Sequence, residues 1–121
     1  MNPASLFHSS KSTKSFAAGE VILEHGQQNS SMYVVLDGEI DITVHGVTVE
    51  TLKEGGIFGE MSLVDQSPCS ATAFARVPAR VAVVGRQQFI FLVQEHPTFA
   101  LHLMGVLADR LRRMDDRASG S

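Results

Sequence analysis

Apolar and polar residues alternate in short runs along the first two thirds of the chain, and this pattern predicts β-structure. Ile40, Ile42 and Val44 alternate with polar residues, so one face of this strand is expected to be buried and the other exposed to water. Further runs of strand character are found at 21–23, 32–36, 47–52, 71–75 and 80–84. Turn residues at close spacing separate these runs, which predicts a sandwich or a barrel-like roll.

Two turn signals lie between neighbouring runs. Asp37-Gly38 follows the run at 32–36, and His45-Gly46 follows the run at 39–44. A glycine after aspartate is a strong hairpin signal, because type I′ turns need positive φ at both central residues. The sequence therefore predicts a β-hairpin at each of the two places.

The pattern changes after residue 85, where apolar residues recur at helical spacing. It predicts a short helix over residues 86–96 and a longer one from Pro97 to about Arg117, because the residue before a proline avoids the α region. The longer helix carries a seam of apolar residues at heptad spacing: Ala100, Met104, Leu107, Leu111 and Met114. Two interpretations are open, since the seam either packs on the roll or pairs with a second copy in a homodimer.

The composition is that of an ordinary globular domain. The chain has 121 residues, of which 44% are hydrophobic and 19% are charged, and this length suits one domain. We expect a flexible or helical N-terminal segment over residues 1–13 and a disordered tail over residues 118–121. The domain itself is expected over residues 14–117, with the roll at about 14–84 and the helices at about 86–117.

Charge and cysteine usage narrow the class of function. The net charge of −3 argues against direct binding of nucleic acid. Cys69 is the single cysteine, which excludes an intramolecular disulfide and fits a reducing compartment. No apolar run is long enough for a signal peptide or a membrane span. We therefore expect a cytoplasmic protein that binds neither nucleic acid nor a membrane.

One stretch, residues 55–72, carries candidate chemistry. Its glycines let the backbone approach a ligand closely, and a helix that begins near Gly59 would direct free N–H groups at an anion. The alternative is that the glycines only relieve strain in a tight bend.

This stretch resembles the phosphate-binding cassette of the cyclic nucleotide-binding domain family. The matching residues are Phe58-Gly59-Glu60, Leu63 and Pro68-x-Ser70-Ala71-Thr72. The similarity continues into Glu24-His25-Gly26, Met32-Tyr33-Val34-Val35, Gly38-Glu39-Ile40 and the segment 107–112, and so covers roughly residues 16–117. Motifs in matching order and spacing are a more specific signal than a glycine pattern alone. The family includes the catabolite activator protein, the regulatory subunits of protein kinase A and cyclic-nucleotide-gated channels.

The resemblance implies a mainly β fold, namely an antiparallel β-roll (a double-stranded β-helix of jelly-roll type) with flanking helices and a C-terminal helical pair. It implies cyclic AMP or cyclic GMP as the ligand, with no other cofactor. Glu60 would accept a hydrogen bond from the ribose 2′-hydroxyl, while the Ser70 hydroxyl and the Ala71 N–H would face the phosphate. The ligand contacts that it implies are Phe58, Gly59, Glu60, Met61, Ser62, Cys69, Ser70 and Ala71. Without the resemblance, Glu60 is a helix-start acid and Ser70 is an ordinary strand serine.

Cys69 stands where the family pattern has an arginine. The arginine holds a phosphate through two charge-assisted hydrogen bonds, and a hydrogen bond to a charged group contributes about 1.5–3 kcal/mol. A thiol is at best a weak donor. We therefore expect phosphate binding to be weaker by about one to two decades. Arg76 and Arg80 are the nearest other arginines in sequence, and neither is an obvious substitute.

Two functions remain open at this point. The first is a regulatory module that binds a cyclic nucleotide or related anion and relays it through the C-terminal helix to an unknown protein partner. The second is a degenerate domain that binds no nucleotide and serves dimerisation or docking. We expect neither an enzyme nor a metal site, because the chain has no nucleophile elbow, no Walker loop and no ligand spacing among its histidines.

Overall fold

Two four-stranded sheets and a helical layer make up the part of the chain that the computed structural model describes, residues 1–7 and 10–119, with side chains up to residue 113. The strands are β1 (Thr13–Phe16), β2 (Val21–Leu23), β3 (Ser31–Asp37), β4 (Ile40–Val44), β5 (Val47–Leu52), β6 (Ile57–Phe58), β7 (Thr72–Ala75) and β8 (Ala79–Gly85). The helices are α1 (Glu60–Asp65), α2 (Arg86–Glu95) and α3 (Pro97–Ser119), preceded by a 3-10 helix at Pro3–Leu6.

The two sheets have the strand orders β1-β8-β3-β6 and β2-β7-β4-β5, and all their pairs are antiparallel. Both faces of β3 are buried. Met32, Val34 and Leu36 pack toward the helices, whereas Tyr33 and Val35 pack against the second sheet. A strand that is covered on both faces reads as a continuous apolar run. The predicted antiparallel β-roll with flanking helices is confirmed.

The turn at His45-Gly46 is the hairpin that the sequence predicts. Val44 pairs with Val47, and both turn residues have positive φ, 51° for His45 and 80° for Gly46.

The hairpin predicted at Asp37-Gly38 is wrong. β3 pairs with β6 and β8, whereas β4 pairs with β5 and β7, so the turn carries the chain from one sheet to the other. Only Gly38 has positive φ, 85°, and a Cβ there would lie 2.3 Å from the Pro78 carbonyl oxygen. The glycine is therefore needed for the crossing between sheets and for close packing, not for a type I′ turn.

The helices α2 and α3 close one side of the roll. Phe99 and Leu103 of α3 and Leu92 of α2 are buried against the β3 face that carries Val34. The interior of the roll forms a second cluster, which includes Ile40, Leu52, Ala75 and Val81. The roll therefore has an inner core and a separate core beneath the helices.

The seam predicted on α3 divides between two faces of the helix. Leu107 packs against the core, Ala100 is half-buried, and Met104 and Leu111 are exposed. Met114 lies outside the residues whose side chains are described. Three exposed apolar residues of α3, Leu101, Met104 and Leu111, together with the half-buried Ala108, are called the outer stripe below. The predicted seam is therefore not a single face: Leu107 packs on the roll, as the first interpretation has it, whereas Met104 and Leu111 do not.

The ends of the chain contribute unequally to the fold. Ala4 of the 3-10 helix and Phe7, which follows it, are buried in the core cluster beneath the helical layer. β1 and β6 are strands that the sequence pattern did not single out. Residues 120–121 of the predicted tail lie outside the described residues. Across the described part of the chain, no helix has the length and hydropathy to cross a membrane.

Candidate ligand-binding site

A pocket of about 570 Å³ lies between the strands β4 and β5, the segment around α1 and the inner face of α3. All eight residues predicted as ligand contacts line it: Phe58, Gly59, Glu60, Met61, Ser62, Cys69, Ser70 and Ala71. The structure thus brings together the two halves of the predicted cassette, residues 58–62 at the start of α1 and residues 69–71 beyond its end.

Most of the remaining lining forms an apolar wall and a charged wall, and Pro68, Thr72 and Ala73 complete it. The apolar residues come from β2, β4 and β5, and are Leu23, Ile42, Val44, Val47 and Val49. The charged wall consists of Glu50 on β5, Glu60 at the start of α1, and Arg110 and Arg113 on α3. The pocket can therefore accommodate a flat apolar group beside a polar, hydrogen-bonding group.

Gly59 sets the entry into α1. Its φ is 77°, and a Cβ there would lie 3.0 Å from the Ser31 carbonyl oxygen and 3.1 Å from the Tyr33 ring. The ring of the preceding residue, Phe58, stacks on Tyr33 with centroids 5.1 Å apart. Positive φ and close backbone approach both favour glycine. This turn places the next side chain, Glu60, inside the pocket.

The carboxylate of Glu60 is buried and is paired with an arginine from the far end of the chain. Its Oε1 accepts a hydrogen bond from Nη1 of Arg110, and Nη2 of the same guanidinium donates to the Ile57 carbonyl oxygen. The Glu60 side chain is only 6% exposed. Arg110 therefore fastens α3 to the cassette at two points.

Glu50 extends this pairing into a cluster of four charges. Its Oε1 accepts from Nε of Arg110 at 3.1 Å, and its Oε2 lies 3.5 Å from Nη2 of Arg113. We call Glu50, Glu60, Arg110 and Arg113 the charge cluster. Hydrogen bonds between charged groups are stronger than hydrogen bonds between neutral groups. The charge cluster therefore holds β5, α1 and α3 together at the pocket.

Cys69 also lines the pocket and is buried among residues of the inner core. Its backbone pairs with the β2–β3 loop, since its N–H donates to the Gln27 carbonyl at 2.9 Å and its carbonyl accepts from Gly26 at 2.8 Å. Burial raises the pKa of the Cys69 thiol. The thiol is therefore neutral at physiological pH, so this position offers neither a cation nor a reactive thiolate.

The other arginines near the cassette in sequence do not replace the missing guanidinium. Arg76 pairs with Glu39 at 3.7 Å, and Arg80 pairs with Asp37 at 3.0 Å. Neither arginine lines the pocket. The cations of the pocket come from α3 instead.

Sequence reasoning missed Glu50 and Arg113 and assigned Arg110 only to a helix motif. A signal for Arg110 was present, because Phe99, Leu103 and Leu107 step by four along the buried face of α3 and Arg110 follows at the next helical step. No comparable signal exists for Glu50, which lies on a strand whose residues are partly exposed.

A comparison with known protein families shows which kind of domain this β-roll is. The sequence model of the cyclic nucleotide-binding domain matches residues 13–96, which is more than half of the chain. The chain belongs to the cyclic nucleotide-binding domain family. The matched region contains the whole roll, the cassette and α2, so the family resemblance seen in the motifs is confirmed.

Individual members of the family support the same assignment. The cAMP-dependent protein kinase regulatory subunit of Emericella nidulans is 35% identical over 79 residues, which are 64% of this chain and 19% of that protein. The Thermus thermophilus catabolite activator protein superposes with a TM-score of 0.78 at 29% identity, over 88% of this chain and 53% of that chain. A protein of a cyclic-GMP-dependent signalling pathway in bacterial phytopathogenesis gives a TM-score of 0.71 at 28% identity, over 82% of each chain.

Proposed function

We propose that this cyclic nucleotide-binding domain is a regulatory module that binds a cyclic nucleotide or a related anion and relays its presence through α3. The observation that carries the proposal is the composition of the pocket. The predicted cassette residues and Arg110 of α3 line one cavity, and Glu60 touches Arg110 directly. A ligand in this cavity contacts the roll and the helix at once.

The two walls of the pocket suit the two halves of a cyclic nucleotide. The apolar side chains of β4 and β5 offer a surface for a base, and Glu60 offers a carboxylate to a ribose hydroxyl. Ser70 and the Ala71 backbone lie on the same lining, where a phosphate can accept their hydrogen bonds. Relatives named for cyclic AMP and for cyclic GMP support this class of ligand.

The relay is proposed to start at Glu60. The Glu60 carboxylate holds Arg110 through a hydrogen bond. A ribose hydroxyl that donates to the same carboxylate alters the negative charge density that attracts the guanidinium. Because Arg110 belongs to α3, its displacement moves the helix relative to the roll. A ligand shifts such an equilibrium only to the extent that it binds one arrangement better than the other.

Cys69→Arg is expected to tighten binding of cyclic AMP or cyclic GMP by about one to two decades. The new guanidinium restores two charge-assisted hydrogen bonds to the phosphate, and about 1.4 kcal/mol corresponds to a factor of ten. Isothermal titration calorimetry on both variants with both nucleotides measures the change. Cys69→Ser is the matched control, because it changes the side chain without adding a charge.

Glu60→Ala completes the experiment. It is expected to abolish measurable binding, while Arg110 keeps its pairing with Glu50 and the circular dichroism spectrum shows an unchanged helical content. Binding by the wild-type domain that Glu60→Ala removes supports the proposal. The proposal is contradicted if no binding is measured for the wild type, for Cys69→Ser or for Cys69→Arg. The role of the roll must then be sought in contacts with proteins.

We also propose that the outer stripe of α3 pairs with the same stripe of a second copy. Leu101, Met104, Ala108 and Leu111 are spaced by three, four and three residues, which is the spacing of a coiled-coil seam. Leu101, Met104 and Leu111 are exposed, so they stay available once α3 has docked. A stripe that is complementary to itself fits a two-fold symmetric homodimer.

Leu111→Glu is expected to weaken this dimer at least about tenfold. The side chain is 62% exposed in the monomer, so the change leaves the fold intact and places two carboxylates in an apolar interface. Sedimentation velocity over a concentration series measures the shift. Val77→Glu, at an exposed apolar position between β7 and β8, is the control. A wild-type domain that stays monomeric at all concentrations contradicts the dimer.

A further inference from the structure

The charged side chains that line the pocket sum to zero within the described residues. Glu50 and Glu60 contribute two negative charges, and Arg110 and Arg113 contribute two positive charges. Both cations belong to α3. The cassette contributes none, because Cys69 holds the position of the family arginine.

Neither arginine offers its charge freely to an incoming anion. Each of the three nitrogens of the Arg110 guanidinium already donates a hydrogen bond, to Glu50, to Glu60 and to the Ile57 carbonyl. Arg113 lies 3.5 Å from the second oxygen of Glu50. Glu50 is therefore the one residue of the charge cluster whose carboxylate contacts both arginines.

The two acids of the cluster have different surroundings. Glu60 is nearly inaccessible and begins α1, whereas the Glu50 side chain is 19% exposed and stands on β5 at the edge of the pocket. In a 3′,5′-cyclic nucleotide the phosphate oxygen at C3′ is bonded to the carbon next to the one that bears the 2′-hydroxyl. A ribose anchored on Glu60 consequently brings its phosphate close to the charge cluster, within the range where Coulomb interactions are strong.

We propose that Glu50 is a specificity-determining residue, a built-in counter-anion for Arg110 and Arg113 that disfavours negatively charged ligands. This inference rests on the proposed function and refines it. A phosphate that enters the pocket competes with the Glu50 carboxylate for the two guanidinium groups and is repelled by it. A neutral ligand of the same shape meets no such competition. Glu50 thus sets the ratio of affinities for anionic and neutral ligands.

The test compares cyclic AMP with adenosine, which has the same base and ribose but no phosphate. Glu50→Gln keeps the shape of the side chain and removes its charge, so Kd for cyclic AMP is expected to fall about tenfold while Kd for adenosine is unchanged. Raising the salt concentration is expected to shrink the difference, because ions screen charges at the pocket edge. Titration calorimetry of both ligands at two salt concentrations measures the ratio.

Glu39→Gln is the matched control. It removes the same charge from an ion pair with an arginine, but Glu39 pairs with Arg76 outside the pocket. The ratio of the two affinities is expected to stay at its wild-type value in this variant. A ratio that shifts equally in both variants reflects only the overall charge of the domain and overturns the role of Glu50.

A purely structural role of Glu50 has a different signature. If Glu50 only holds α3 in place, Glu50→Gln weakens cyclic AMP and adenosine together and leaves their ratio unchanged, which overturns the inference while the proposed function stands. Absence of cyclic AMP binding by the wild type, by Glu50→Gln and by Cys69→Arg overturns both. A larger gain for cyclic AMP than for adenosine is the result that supports it.

Discussion

Arg110→Ala is expected to lower the free energy of unfolding by about 3–5 kcal/mol, because it leaves the buried carboxylate of Glu60 without its partner. The Glu60 side chain is almost wholly removed from water, and the same change deprives the Ile57 carbonyl of its donor. Removing one member of a buried ion pair costs far more than the pair contributes over an apolar replacement. Urea denaturation followed by circular dichroism measures the loss.

An exposed arginine on the same helix supplies the control for Arg110. Arg112 pairs with Asp109 at 3.1 Å, and both side chains are well exposed. Exposed pairs of this kind contribute about 0–1 kcal/mol, so Arg112→Ala is expected to change stability little. Equal losses in the two variants would mean that the charge cluster adds no more to stability than an exposed ion pair does.

Phe99→Ala is expected to destabilise the domain by about 3–5 kcal/mol, since it opens a cavity beneath α3. Phe99 is fully buried and meets Phe89 of α2 edge-on, with ring centroids 6.3 Å apart. It is the first large side chain by which α3 enters the core. Its removal weakens the docking of α3 as well as the packing around it. Thermal and urea unfolding both report the change.

Phe91→Ala is the control that tests whether the loss of stability comes from burial of the phenylalanine or from its residue type. Phe91 also lies in the helical layer, but its side chain is 62% exposed. Its truncation is expected to cost well under 1 kcal/mol, because little of its surface leaves water on folding. A loss for Phe99→Ala below about 1 kcal/mol would show that the space beneath α3 collapses without penalty and that α3 is only loosely held.

Strands could be predicted where burial imposes a simple pattern on the sequence, and they were missed where it does not. The alternation of Ile40, Ile42 and Val44 identified β4, but the expectation that its polar face is exposed to water was wrong, because Asp41 is buried and Thr43 is half-buried. β1 escaped notice because its four residues, Thr13–Phe16, are all at least partly exposed. The Asp37-Gly38 turn was misread because its residue types suit two geometries. Only the pairing of β3 and β4 with other partners decides between them, and that pairing is set by tertiary structure.

The cassette was recognisable from sequence because its residues are local. Phe58 to Ala71 lie within one short segment, and their order alone carries the family pattern. The charge cluster is not local in sequence, since Arg110 contacts partners that are 50, 53 and 60 residues away along the chain. No local pattern encodes a contact over such a separation. The helical step that follows Leu107 could place Arg110 on the inner face of α3, but it could not name Glu50 as its partner.

The long reach of Arg110 has a consequence for the order in which the site is assembled during synthesis. The ribosome makes the strands, the cassette and the apolar wall of the pocket first, and α3 emerges only afterwards. A nascent roll therefore exposes Glu50 and Glu60 with no guanidinium to neutralise them. Until α3 has left the exit tunnel and docked, the growing chain carries an acidic, half-open groove that repels anionic metabolites. The pocket thus acquires its two arginines only once α3 is in place.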